Sequence, residues 1–301
     1  MPRDREVRRG TKYGSGVASG SRICPHCGGL NAAEEDRCFR CDRRLPPARL
    51  TGAFEAFRKL KSVELLFTMI FGGLCLVVFI LCVMDQGGLG PLLRGFFTGS
   101  FDLSVTVRFG GLWGPLGRLE PFRHVSAIFI HFGILHLGLN MLALTSLSRY
   151  LEPSLGSARY AVLFVVSGTL GFVASELYYG AAGPPTGGAS GSLFGMMGAF
   201  LAELQVRRDP RLKEVLIQFA IYAVVFALVF PVNNAAHLGG LVAGFGLGQL
   251  YARERRAMRF GRVMPVLAGV CVISVFGSLV AANASDAWKQ IRVQEIQSGA
   301  R

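Results

Sequence analysis

A serine hydroxyl becomes a useful nucleophile only when a base stands within hydrogen-bond reach, and a neutral imidazole suits that task near pH 7. Two strings supply the pieces. Gly187-Gly188-Ala189-Ser190-Gly191-Ser192 sets Ser190 among glycines, and Asn234-Ala235-Ala236-His237-Leu238-Gly239-Gly240 opens a second apolar stretch with His237. At the mouth of a helix, missing side chains let another backbone approach, and the free N–H groups of the first turn point at a developing oxyanion. Taken alone the serine string reads as helix packing, because Gly191 and Gly195 form a Gly-x-x-x-Gly step. A third string changes that balance. His136 and Asn140 stand one helical turn apart on one face, and both donate hydrogen bonds. With the Ser190 backbone N–H they make a candidate oxyanion hole for acyl transfer. His131 lies off that stripe and is expected to brace the preceding loop.

A metal site built from His131, His136 and His237 is the competing chemistry. No His-Glu-x-x-His pair occurs, and the carboxylates inside apolar segments, Glu176 and Glu203, are expected towards the ends of their helices opposite the histidines. A different metal signal stands near the amino terminus. Cys24 and Cys27, then Cys38 and Cys41, form two Cys-x2-Cys knuckles whose four thiolates match a tetrahedral structural zinc site. A disulfide framework requires an oxidising compartment, which the topology below does not give this segment. Cys75, Cys82 and Cys271 fall in apolar stretches and read as packing residues.

The elements that position these residues belong in a bilayer. The chain is 51% hydrophobic and 17% charged, with a mean hydropathy of +0.43, outside the range of a soluble domain. Its apolar residues gather into seven segments, near 65–84, 125–147, 160–179, 189–205, 214–231, 234–251 and 263–282. Their lengths fall in the range of about 17–25 residues used by membrane-spanning helices. The segments carrying the histidines, Asn140 and Ser190 are the more polar ones, so they are expected to face a protein interior. The net charge of +13 concentrates in residues 1–62 and in the loops around Arg207–Lys213 and Arg253–Arg262. A cytoplasmic amino terminus places both loops inside, so the charge reads as topology and anionic-lipid attraction, with no nucleic acid expected. In that topology the segments bearing Ser190 and His237 both run inward from the outer face, which puts the two residues at similar depth.

With these motifs in order on the second, fourth and sixth segments, residues 64–282 resemble the rhomboid intramembrane serine proteases. The match rests on His131, His136 and Asn140, on Gly188, Ser190 and Gly191, and on Ala236, His237, Gly240 and Gly244. The resemblance implies an all-α polytopic membrane protein: a rhomboid-like six-helix bundle, here with a seventh transmembrane helix at the carboxyl end. It also implies a Ser–His dyad without a third acidic member, open to the outer face, cleaving single-pass transmembrane proteins without a catalytic cofactor. Ser190 then carries over as nucleophile and His237 as base, while His136, Asn140 and the Ser190 N–H take the oxyanion positions. Phe194 falls where the family often stacks an aromatic ring on the imidazole. The family's usual Trp-Arg pair stands here as Phe122-Arg123, keeping the guanidinium and losing the indole N–H.

The expected organisation is a disordered basic tail over 1–20, a four-cysteine zinc ribbon over 21–45, a linker and membrane-surface segment over 46–63, the transmembrane domain over 64–282 and a tail over 283–301. The ribbon invites a cytosolic partner, and the expected location is a bacterial plasma membrane. The alternative function is a catalytically inactive rhomboid-like protein that binds and escorts transmembrane clients. A transporter is disfavoured by the lack of a repeat with interrupted helices in two halves.

Overall fold

The computed structural model describes residues 21–24, 30–32, 35–45, 65–88, 90, 101–229, 232–254 and 263–299. The expected basic tail, the linker over 46–63 and Cys27 lie outside the described residues. The chain divides into two compact units, Met1–Val63 and Glu64–Arg301.

In the first unit, strands β1 (Ser21–Ile23) and β2 (Leu30–Ala32) pair antiparallel. Cys24 and Cys38 are buried together with Leu45, and Asn31 Oδ1 accepts the Phe39 N–H at 2.9 Å to tie the second knuckle to the hairpin.

The second unit is built mainly of helices, joined among its described residues by turns and one antiparallel bridge between Leu112 and Thr186. Helix α1 spans Leu66–Asp85, and the segment after it holds the short helices α2 (Leu103–Arg108), α3 (Gly114–Gly117) and α4 (Arg123–Ser126). Then follow α5 (Ile134–Leu155), α6 (Ser157–Tyr179), α7 (Ser190–Arg207), α8 (Leu212–Val229), α9 (Asn234–Glu254), α10 (Val263–Ala284) and α11 (Ala287–Gln297). Every apolar segment expected from the sequence contains a helix. Helices α1 and α10 are long and apolar enough to cross a membrane, as is α6 with the turn that continues it, and a bent pair of helices adds a fourth span. The protein is an integral membrane protein of the all-α class.

That bent pair is where the structure departs from the expected span at 125–147. A helical turn over Arg123–Phe129 meets α5 at 94°, with Ile130–Gly133 between them. Ile130 and Gly133 are extended, and the Phe132 N–H is taken up by His136 Nδ1 at 3.4 Å, so a side chain restarts the helix. The expected carboxyl-terminal tail contains a helix, α11, over Ala287–Gln297.

Helices α6 and α7 are largely buried, whereas α1 and α10 leave most of their apolar surface exposed. Phe71 of α1 stacks on Phe164 of α6 with centroids 4.6 Å apart. The start of α1 is fastened by a buried carboxylate. Glu152 accepts the Phe67 N–H at 2.8 Å, the Thr68 N–H at 3.0 Å and the Thr68 hydroxyl at 2.6 Å. A negative group on otherwise unpaired N–H donors is the favourable end of the helix dipole. Tyr160 joins the cluster through Ser148 at 2.6 Å and Thr68 at 3.2 Å.

Helices α7 and α9 run parallel and touch backbone to backbone. A methyl group placed on Gly244 would overlap the Gly195 carbonyl, one on Gly240 would overlap that of Gly191, and one on Gly248 would lie 2.7 Å from Ala199 Cα. Gly246, on the same helix, faces open space. Gly244→Ala is therefore expected to lower stability by about 1–3 kcal/mol, as overpacking does. Gly246→Ala should be neutral or stabilising by a few tenths up to about 1 kcal/mol. Thermal unfolding of the two variants in one detergent checks the contrast.

Candidate active site

The glycine contact brings the first turns of α7 and α9 together, and Ser190 and His237 sit in those turns. His237 Nε2 lies 2.8 Å from Ser190 Oγ. For the hydroxyl to donate, Nε2 must be the unprotonated nitrogen, which leaves the proton on Nδ1. Among the described residues no carboxylate is bonded to this imidazole. Its ring lies flat on Phe194, one turn along α7 from Ser190, at 4.3 Å and 9°.

The start of α9 is held by Asn233. Its Oδ1 accepts the Ala236 N–H at 3.0 Å, in the manner of an N-cap. Its Nδ2 donates to Ser175 Oγ at 2.6 Å and to Thr186 Oγ1 at 3.1 Å. One side chain thus ties the imidazole-bearing turn to α6 and to the loop that delivers Ser190. That loop is fixed a second time by Leu112 and Thr186, which exchange backbone bonds of 3.0 and 2.8 Å, and a third time by the Gly188 N–H on the Ala127 carbonyl at 2.8 Å.

His136 stands on the other side of the serine. Since its Nδ1 accepts the Phe132 N–H, its proton resides on Nε2. The backbone at Gly188 passes beside that nitrogen: a methyl group there would sit 2.9 Å from His136 Nε2 and 3.7 Å from Ser190 Oγ. Gly188 has φ +135°, a conformation that side chains disfavour, so both space and backbone angle call for glycine. Asn140 is buried one turn further along α5. One N–H of its amide goes to the His136 carbonyl at 2.8 Å, which leaves the second hydrogen of Nδ2.

His131 is fully buried in the break before α5. Its Nδ1 faces the Phe129 carbonyl at 3.3 Å, and its Nε2 accepts the Ala189 N–H at 3.4 Å. It braces the loop it belongs to and also the residue preceding Ser190. Arg123 is buried as well, donating from Nη1 to the Val107 carbonyl at 2.5 Å and the Gly111 carbonyl at 3.3 Å, and from Nε to Glu120 at 2.6 Å.

Glu176 is not where the sequence put it. The chain direction of α6 carries its last turn to the end where α7 and α9 begin, so this carboxylate lies on the histidine side of the molecule. Its Oε2 lies 2.5 Å from His124 Nε2, and His124 Nδ1 lies 2.8 Å from the Pro121 carbonyl. Glu203 does lie at the far end of α7, paired with Arg207 at 2.6 Å. Asn233, Thr186 and Ser175 were missed from sequence. The one available signal was an asparagine immediately before a helix-opening run.

In the amino-terminal unit, the sulfurs of Cys24, Cys38 and Cys41 lie within 4.8 Å of one another and could hold a metal ion. Cys24 Sγ and Cys41 Sγ are 3.7 Å apart. Two thiolates bound about 2.3 Å from a tetrahedral zinc stand about 3.8 Å apart, so the spacing fits a shared ion and not a disulfide. Among the described residues this is the one group of three or more such side chains gathered within ligand reach.

Residues 118–254 match the family model of the rhomboid domain. Over 143 residues the chain is 32% identical to rhomboid-type serine protease 2 of Emericella nidulans, covering 46% of this chain and 28% of that protein. It is 30% identical over 185 residues to the rhomboid protease GluP of Bacillus subtilis, covering 60% and 33%. With the rhomboid protease GlpG of Salmonella choleraesuis it shares 32% identity over 166 residues, covering 51% and 58%. The chain thus spans between about a quarter and three fifths of the length of these relatives. Over residues 118–254, which include His136, Asn140, Ser190 and His237, the chain carries a rhomboid domain, and its homologues include rhomboid proteases.

Proposed function

We propose that this protein is an intramembrane serine endopeptidase that cleaves single-pass transmembrane proteins. The observation that carries the reading is the 2.8 Å approach of His237 Nε2 to Ser190 Oγ. His237 takes the hydroxyl proton as Ser190 Oγ bonds to the scissile carbonyl carbon, and the carbonyl electrons move onto oxygen. The resulting oxyanion is received by the Ser190 backbone N–H, by the His136 Nε2–H and by the remaining Asn140 N–H. Collapse of the intermediate breaks the C–N bond, and the imidazolium gives its proton to the leaving amine. Water, deprotonated by His237, then attacks the ester and frees Ser190. The stacked Phe194 ring supports the imidazole through both protonation states.

Seven spans, six in the bundle and α10 added at the carboxyl end, fit a cytoplasmic amino terminus and a site opening to the outer face of a bacterial plasma membrane. On this topology the cysteine unit lies in the reducing cytosol. There Cys24, Cys27, Cys38 and Cys41 hold a structural zinc, and metal binding supplies the folding energy of a unit too small for a core of its own. A cytosolic protein is its proposed partner.

Purified in detergent with a single-span substrate, Ser190→Ala and His237→Ala are expected to lose at least about a thousandfold in rate. His136→Ala should lose roughly a hundred- to a thousandfold in kcat. Cleavage by Ser190→Ala at the unmutated rate would refute the assignment. Gly188→Ala should show a comparable loss while remaining folded, because the added methyl occupies the space between His136 and Ser190. Labelling of Ser190 by a fluorophosphonate probe, compared with thermal unfolding, separates the two effects. Elemental analysis of the full chain should find a single zinc equivalent, lost in a Cys24→Ser, Cys38→Ser double variant that keeps its cleavage activity.

A further inference from the structure

The carboxyl-terminal helix α11 belongs to no motif of the site, yet its polar side chains are spent on the segment that leads there. Trp288, Arg292 and Glu295 recur at helical spacing, while Ile291 on the adjoining face is buried. At the end of α1 the Asp85 carboxylate lies between two guanidiniums. Arg108, the last residue of α2, donates to Oδ1 at 2.6 Å, and Arg292 bonds both carboxylate oxygens. The Trp288 ring underlies both cations, 4.7 Å from the Arg108 guanidinium carbon and 5.0 Å from that of Arg292. The Asp85, Arg108 and Arg292 side chains are 14%, 29% and 21% exposed. Such partly desolvated pairs are screened less than surface ones.

Two further contacts fall on the same segment. Glu295 Oε1 accepts the Ser104 N–H in the first turn of α2 at 3.1 Å, and Ser285, in the turn before α11, donates to Glu120 Oε1 at 2.6 Å. Glu120 is also the ion-pair partner of the buried Arg123. The segment fastened in this way makes the backbone pair with the loop of Ser190. Arg123 bonds the carbonyls of Val107 and Gly111, the next residue Leu112 pairs with Thr186, and Thr186 stands four residues before Ser190.

We infer that α11 is an outer clamp whose Trp288 and Arg292, acting through Asp85 and Arg108, position residues 101–112 and through them the 186–190 loop. The activity readout of this inference rests on the protease reading. Trp288, Arg292, Asp85 and Arg108 are positioning residues; none of them touches a reacting atom.

The test uses the full chain in detergent as wild type, Arg292→Ala, Arg292→Lys and Trp288→Ala. The measurements are kcat and KM on a single-span substrate, backbone hydrogen exchange and thermal unfolding. Arg292→Ala and Trp288→Ala should lower kcat roughly two- to thirtyfold with KM little changed. Exchange should quicken both in 101–112 and in 186–190, and Arg292→Lys should recover part of each change. Trp288→Ala serves on its own if Arg292→Ala does not fold, since it leaves the Asp85 charge compensated. A folded variant with unchanged kcat, or with faster exchange in 101–112 alone, overturns the clamp. If wild type neither cleaves substrate nor reacts with a fluorophosphonate, the protease reading fails instead. The clamp is then judged by exchange: joint quickening of the two segments upholds it, and its absence overturns it.

Discussion

The contact between Gly195 and Gly244 sets the distance on which everything else in the bundle depends. Without a side chain on either residue, α7 and α9 run parallel with their backbones in touch. Helix association in a bilayer gains little from moving apolar surface out of water, since lipid is as apolar as leucine. It relies on close packing, and glycine permits the closest. Two parallel helices at that separation present their first turns side by side. That is why residues 47 positions apart in the chain come within 2.8 Å as Ser190 and His237. A larger residue at the crossing would part the two turns and leave both partly buried polar groups without each other.

Burying a polar site in a low-dielectric interior brings a second requirement, that the supporting groups be satisfied from within the protein. Much of the structure around Ser190 answers it. The Gly188 N–H goes to the Ala127 carbonyl and the Ala189 N–H to His131. The first turn of α9 is capped by Asn233, whose amide nitrogen spends its hydrogens on Ser175 and Thr186. The same accounting fixes the state of His136, because a nitrogen that accepts the Phe132 N–H leaves the other to donate. The break at Ile130–Gly133 follows from this demand. A straight helix through 125–147 would pair the Phe132 N–H with a carbonyl and leave His131 no route to Ala189.

These dependences explain what could be read from the chain and what could not. The approach of Ser190 to His237 was legible because the span order sets both at the same depth, and the apolar segments were legible because hydrocarbon thickness dictates their length. The break before α5 was hidden: the apolar residues run on through 125–135 with no proline, and the kink is made by side-chain bonds. Glu176 falls on the histidine side because it stands in the last turn of α6, whose end leads directly into the loop of Ser190. Asn233 was hard to read because two of its three side-chain bonds, to Ser175 and Thr186, come from other parts of the chain. The stretch 283–301 read as a tail because its polar residues have no apolar face long enough for a span. Its partners are charges that only the fold brings near.

The two ends of the bundle are closed by different chemistry, and the difference bears on how such a site admits a substrate. At one end of the bundle Glu152 is buried and caps α1 with three short bonds, so opening there would strand a carboxylate in an apolar interior. At the end carrying Ser190, Asp85, Arg108 and Arg292 are partly exposed and lie within reach of water. A cluster of that kind separates at lower cost, since each charge regains hydration as it leaves its partner. The glycine crossing between them has no such alternative. Motion is therefore cheapest at the segment 101–112 and dearest at the helix contact that holds Ser190 beside His237. On the protease reading, that gradient lets a transmembrane segment reach Ser190 while the geometry of attack stays fixed.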